Sequence, residues 1–187
     1  IVGSEGDVSI LVETRPLSVG FLEEETQALD AAVAPLSREQ ITQTLETIGG
    51  EAFEARTRSG RRVEARYHAG TDAAVMISAG QHANETTGIV GALRAAMRLR
   101  ESAGAHFSIS PLENPDGYAL HQRLRADNPR HMHHAARYTA LGDDLEYRTA
   151  DNAGSFLFEK EIRLRAEALS DARLHVNLHG YPSHEWT

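Results

Sequence analysis

Apolar positions recur with two different periods along the chain, and the switch between them marks out its elements. Ala74-Val75-Met76-Ile77-Ser78 is a short apolar run closed by Ala79-Gly80, the pattern of a buried parallel strand. Ile89, Leu93, Ala96 and Met97 then share one face of the stretch from Gly88 to Arg98, which predicts an amphipathic helix. Phe53, Ala55, Val63, Ala65 and Tyr67 alternate with polar residues around Ser59-Gly60, so Glu51 to Tyr67 reads as a hairpin. His106 to Ser110 and Arg173 to Leu178 read as further short strands, and Phe156 to Leu169 as a helix. Upstream, Val8 to Val12 is a possible strand. Phe21 to Ile48 reads as one or two helices interrupted at Pro35. Within it, Ser37 with Gln40 resembles a capping box ahead of Ile41, Leu45 and Ile48, and Gly49-Gly50 ends the helix.

Strands alternating with helices imply an α/β fold: a mixed, largely parallel β-sheet with helices on both faces and the hairpin at one side. A chain of 187 residues matches one domain. Residues 1–50 form an N-terminal helical lead-in and residues 51–187 the α/β core. No internal repeat interrupts this order.

Two residues at the end of the first core strand carry candidate chemistry. His82 and Glu85 lie three apart in Gly80-Gln81-His82-Ala83-Asn84-Glu85, so an imidazole and a carboxylate on one turn can clasp one metal ion. Alone the pair is a weak signal, because a glutamate at a helix start also complements the macrodipole. Catalytic zinc takes three protein ligands and keeps a fourth position for water, so a third is needed. His179 follows the strand ending at Leu178 and is the best candidate; His184 in the following loop is the runner-up. Strand ends of a shared sheet would bring His82, Glu85 and His179 together, in the crevice where α/β sheets bind ligands.

With those residues in place, the chain from about Ala74 onward resembles the zinc carboxypeptidases. His82-Ala83-Asn84-Glu85 matches the family's H-x-x-E, Asn114-Pro115-Asp116-Gly117-Tyr118 its N-P-D-G-aromatic segment, and Leu178-His179-Gly180-Tyr181 the segment bearing the last zinc histidine. Gly142-Asp143-Asp144-Leu145-Glu146-Tyr147-Arg148 resembles its G-x-D-x-N-R stretch with the final two residues changed. The resemblance implies a zinc-dependent peptide or amide hydrolase with Zn2+ as cofactor. Asp144 would accept the second ring N–H of His82, fixing its tautomer. Arg130 falls within about a residue of the arginine that stabilises the oxyanion, with Arg123, Arg125 and Arg137 as competitors. Glu146 and Tyr147 occupy the place of the Asn-Arg pair that grips a peptide's terminal carboxylate. Arg148 could supply the lost guanidinium from one position away, or Glu146 could favour a substrate carrying an amine; with Arg137 these residues form the expected substrate-binding set. The family's general base lies on a strand after the third ligand, whereas this sequence stops at Thr187, and Glu185 falls in the wrong segment. The domain is therefore expected to be incomplete at its C-terminus.

Two other readings keep the metal and change the function. Gly80-Gln81-His82-Ala83-Asn84-Glu85 also resembles the G-x-H-x-N-E segment of the aspartoacylase and succinylglutamate desuccinylase group, which implies an N-acyl amino acid deacylase. Alternatively, the changed Asn-Arg pair and the unassigned base suggest a catalytically impaired zinc protein that binds peptides. His131-Met132-His133-His134 is read as a pocket-lining loop rather than a second metal site, because adjacent residues rarely face one point.

Composition narrows the partners. A formal net charge of -8, from 27 acidic and 19 basic residues, argues against a nonspecific nucleic-acid binder. With no cysteine, any metal must be held by histidine and carboxylate. No window approaches the roughly 20 apolar residues of a membrane span. The sequence from Ile1 to Asp7 lacks the basic start and apolar stretch of a signal peptide, which points to the cytoplasm. A peptide or an N-acyl amino acid is the expected partner, and the oligomeric state is not legible.

Overall fold

The alternating and apolar runs become the five strands of one sheet in the computed structural model, which describes residues 20–23, 25–149 and 157–180. The possible strand at Val8 to Val12, and His184 and Glu185, lie outside these residues. The strands are β1 (Glu51–Arg56), β2 (Arg62–His68), β3 (Val75–Ala79), β4 (Phe107–Ser110) and β5 (Leu174–Leu178). Their order across the sheet is β1-β2-β4-β3-β5. The hairpin β1-β2 is antiparallel and joins β4 antiparallel, while β4, β3 and β5 run parallel to one another. The sheet is therefore mixed, with a parallel core and the hairpin at one edge.

Among the described residues four α-helices accompany it: α1 (Arg38–Ile48), α2 (Thr86–Leu99), α3 (Pro115–Asp127) and α4 (Glu161–Ser170). Alternate residues of a strand point to opposite faces, and β2 shows where each helix lies. Val63 and Ala65 pack with Ala55 and with Ile162 of α4, whereas Arg66 donates to the Leu45 carbonyl of α1 at 3.2 Å. The larger core joins Ile41 and Leu45 of α1, Ile89 and Leu93 of α2, Ile77 of β3 and Ile109 of β4, all buried. Helices thus cover both faces. Among the described residues no helix is long and apolar enough to cross a membrane.

Local chemistry sets the helix ends. Ser37 accepts a hydrogen bond from the Gln40 amide at 3.0 Å, and Gly49, at φ 77°, closes α1 by donating to the Leu45 carbonyl. The reciprocal half of the capping box is not made. Gln40 instead exchanges hydrogen bonds with the backbone of Gln27. The expected helix over Phe21 to Ile48 reduces to α1 and one 3-10 turn, Leu29–Ala31. The reason is Gln27, whose side chain accepts from the amides of Val33 and Ala34 and donates to the carbonyls of Ala34 and Pro35. A side chain that satisfies neighbouring backbone groups competes with helix formation.

Helix α3 begins at the N-P-D-G-Y segment. Asn114 caps it by accepting from the Gly117 amide at 2.8 Å, with Pro115 in the first turn. Tyr118 is fully buried, and its hydroxyl donates to the Leu36 carbonyl at 2.5 Å. Asp116 pairs with Arg61 of the hairpin at 2.7 Å, so the motif locks the helix to the sheet edge.

Candidate metal centre

Strands β3 and β5 are parallel neighbours in register from Val75↔Leu174 to Ala79↔Leu178, so the segments leaving their C-terminal ends meet. Gly80, at φ 63°, turns the chain out of β3; a Cβ there would crowd the Pro111 carbonyl at 3.0 Å and Leu112 Cα at 3.1 Å. Only glycine adopts this left-handed conformation without penalty at so close an approach. The next residues form a turn closed by the Glu85 amide on the His82 carbonyl at 3.0 Å, and Glu85 sits at the N-terminus of α2. Its side chain does not cap that helix. It faces two histidines instead.

Glu85 Oε1 lies 3.0 Å from His82 Nδ1, and Glu85 Oε2 lies 3.0 Å from His179 Nδ1. The Gly180 amide also donates to Oε2, at 3.1 Å. The two imidazoles are 4.9 Å apart between ring centres, and one ligand atom from each of the three residues lies within 4.8 Å of the others. The His82 side chain is 2% exposed and that of His179 35% exposed, so the cluster is closed on one side and reachable from the other.

His82, Glu85 and His179 fit a zinc ion on the chemistry of their donors. The far nitrogen of His82, Nε2, is 3.0 Å from Asp144 Oδ1. A carboxylate there accepts a hydrogen bond from Nε2–H and leaves the Nδ1 lone pair for a cation. His82, Asp144 and Glu146 also have ligand atoms within 4.8 Å of one another. A neutral imidazole has one lone pair, however, and the group containing two histidines is the better zinc site. On His179, Nε2 faces the amide nitrogens of Gln81 at 3.1 Å and Asn177 at 3.2 Å. Those amides donate to Nε2 in the metal-free tautomer; holding an ion through Nδ1 calls for one of them to present its oxygen.

Charge in the cluster is balanced internally. Burial disfavours the charged form of His82, but its hydrogen bonds to Glu85 and Asp144 outweigh this and raise its pKa above that of an ordinary imidazole. Burial likewise opposes the charge on Glu85 and Asp144, yet His82 and the amides of Gly180 and Glu146 hold both below the usual carboxylate range. The signs then separate. The raised His82 stabilises the metal-free fold fully below the unfolded imidazole pKa, and this contribution is lost as pH rises through the folded value. The lowered carboxylates contribute above the unfolded carboxylate pKa and lose that contribution only as acid titrates them in the fold. Zinc competes with the His82 proton. Between about pH 6 and about pH 8 the increase in melting temperature on adding zinc should therefore grow. Thermal denaturation with and without zinc measures this; a larger zinc effect at the lower pH would contradict it.

The remaining candidates divide. Arg137 reaches the cluster, donating to Asp144 Oδ2 at 2.9 Å and, at 3.5 Å, to Glu85 Oε1. The N-P-D-G-Y motif positions it: Asn114 Nδ2 donates to the carbonyls of Arg137 and Tyr138. A Cβ on Gly117 would overlap the Ala136 carbonyl at 2.3 Å, so glycine lets this segment approach. Asp144 begins a 3-10 turn, Leu145–Tyr147, which exposes Tyr147 and leaves the Glu146 side chain 43% exposed, 3.9 Å from His82 Nε2. Arg148 does not face the centre's mouth. It is buried, with Nε and Nη2 facing Asp143, Thr139 and Glu159 and Nη1 donating to the Leu157 carbonyl. Arg130 is exposed beyond α3, and among the described residues it makes no hydrogen bond or ion pair with the cluster. His133 packs edge-on against His121, with His131 tilted against His133.

Three residues behind the centre escaped the sequence reading. Glu113, fully buried, accepts a forked pair of hydrogen bonds from Arg163 of α4 and one from Ser110. Arg163 also donates to Gln81 Oε1, whose amide faces His179. Partners so distant in sequence leave no local spacing to read.

No protein-family model and no curated protein matches the chain. Solved structures do. Metallo-carboxypeptidase from Pseudomonas aeruginosa superposes with a TM-score of 0.52 at 22% identity, over 79% of this chain and 40% of its own. Metallo-carboxypeptidase from Burkholderia cenocepacia gives 0.51 at 20%, over 79% and 42%. Carboxypeptidase A from Helicoverpa armigera gives 0.56 at 14%, over 86% and 50%. The chain thus spans about half or less of each. With a mixed sheet, a parallel core and helices on both faces, it has the fold of the metallo-carboxypeptidases.

Proposed function

We propose that this chain holds one zinc ion through His82, Glu85 and His179 and supplies the metal-binding part of a hydrolase of peptide or amide bonds, in the manner of a carboxypeptidase-like metallopeptidase. The observation that carries this reading is a single carboxylate, Glu85, facing the Nδ1 atoms of two histidines at the ends of adjacent parallel strands. Zinc in such a site polarises a carbonyl and lowers the pKa of a bound water. Asp144 fixes His82 through Nε2. Arg137, rather than Arg130, is the guanidinium beside the ligands, and it takes the role of stabilising negative charge that develops on a substrate oxygen. Among the described residues no carboxylate is assigned as the proton acceptor.

A peptidase and an N-acyl amino acid deacylase share this chemistry and differ in leaving group. The zinc-loaded chain should bind members of an N-acylated peptide set in preference to N-acetyl and N-succinyl amino acids, and any free amine released should come from the peptides. Turnover confined to the N-acyl amino acids would favour the deacylase. Zinc binding with saturable peptide binding and no turnover would make the chain a binding module.

A further inference from the structure

The charges around the centre are unevenly committed. Among the described residues the nearby guanidinium groups already face carboxylates: Arg137 those of Asp144 and Glu85, Arg148 those of Asp143 and Glu159, and Arg163 that of Glu113. Lys160 donates to the backbone carbonyls of Leu145 and Glu146, at 3.0 and 3.4 Å. These bonds, with the Glu146 amide on Asp144 Oδ1 at 3.0 Å, pin the 3-10 turn. The carboxylate of Glu146 is the opposite case. It is 43% exposed, accepts no hydrogen bond among the described residues, and has His82 Nε2 as its nearest charged partner at 3.9 Å. Glu85 faces the other nitrogen of the same ring, so Glu146 stands across the ring from the proposed ion.

Resting on the zinc-hydrolase reading above, we propose that Glu146 determines specificity by selecting substrates with a positive charge, a protonated amine or guanidinium, near the scissile bond. A substrate carboxylate entering there would meet the like charges of Glu146 and Asp144, beside guanidinium groups that already face carboxylates. A substrate cation would instead gain a charge-assisted hydrogen bond with a carboxylate that the fold has positioned but not satisfied. The net charge of -8 adds a long-range attraction of the same sign.

The test uses the zinc-loaded chain and calorimetric titration with three probes: N-acetylagmatine, its neutral isostere N-acetyl-6-methylheptylamine, and N-acetylarginine, which adds a carboxylate. N-acetylagmatine should bind at least about tenfold more tightly than either of the others, the worth of one charge-assisted hydrogen bond. In Glu146→Gln the advantage over the neutral isostere should vanish, with zinc still at one per chain. Equal binding of the three, no binding of any, a preference for N-acetylarginine, or a preference that survives in Glu146→Gln would each overturn the proposal while leaving the zinc site standing. Loss of zinc in Glu146→Gln would overturn it by making Glu146 a ligand. Failure of the parent chain to take up zinc would bring down the hydrolase reading itself.

Discussion

Glu85→Ala should lower zinc affinity by more than about a hundredfold, the upper range for losing a residue that merely supports a ligand. The argument rests on what Glu85 joins. Among the described residues it is the one side chain hydrogen-bonded to both histidines, with Oε1 on His82 and Oε2 on His179, and its second oxygen is also held by the Gly180 amide. Its removal takes away a ligand and the negative charge that offsets a dication between two imidazoles. His82, 2% exposed, would keep its hydrogen bond to Asp144 but lose the partner of Nδ1. Glu85→Gln separates the two effects, because it preserves shape and removes charge. A competition titration against a chromophoric chelator reads the affinity; a value within about threefold of the parent would show that the ion is not held here.

The largest effect on stability is expected from Arg163→Ala. Its partner Glu113 is fully buried, and the guanidinium supplies that carboxylate with three short contacts between 2.6 and 3.1 Å. Removing one member of a buried pair strands the other charge, at a cost of about 3–5 kcal/mol. For a domain of this size that corresponds to a fall on the order of 10 °C in melting temperature. Ser110 remains as a donor to Glu113 but carries no charge. Adding Glu113→Gln should recover a substantial part of the loss, because the stranded group is then neutral. A single-variant loss below about 1 kcal/mol would assign this pair to the class of ion pairs with little net worth.

The parts of the fold governed by local pattern were readable, and the parts governed by distant pairing were not. The Ile89-Leu93-Ala96 stripe and the hairpin alternation each bury one face, so their period survives in the sequence, and β3 shows as a continuous apolar run. Helix α3 carries Tyr118, His121 and Gln122 on its buried side, and such a polar face hides the apolar period; Asn114 and Pro115 were the available signal. The stretch from Phe21 to Pro35 misled because Gln27 overrides its apparent helical pattern through its side chain. In the centre, His82 and Glu85 were visible from spacing and His179 from its place at a strand end. Arg137 could not be told from Arg130 by counting along a loop. The contact with Asp144 separates them. Arg148 looked available for the same reason, and only packing reveals its burial against Glu159.

The most direct test of the central claim is zinc-edge X-ray absorption on the chain loaded with one equivalent of zinc. The account predicts a shell of nitrogen and oxygen at about 2.0–2.2 Å containing two imidazoles, falling to one in His179→Ala. A shell of oxygens alone, or one unchanged by that substitution, would contradict it.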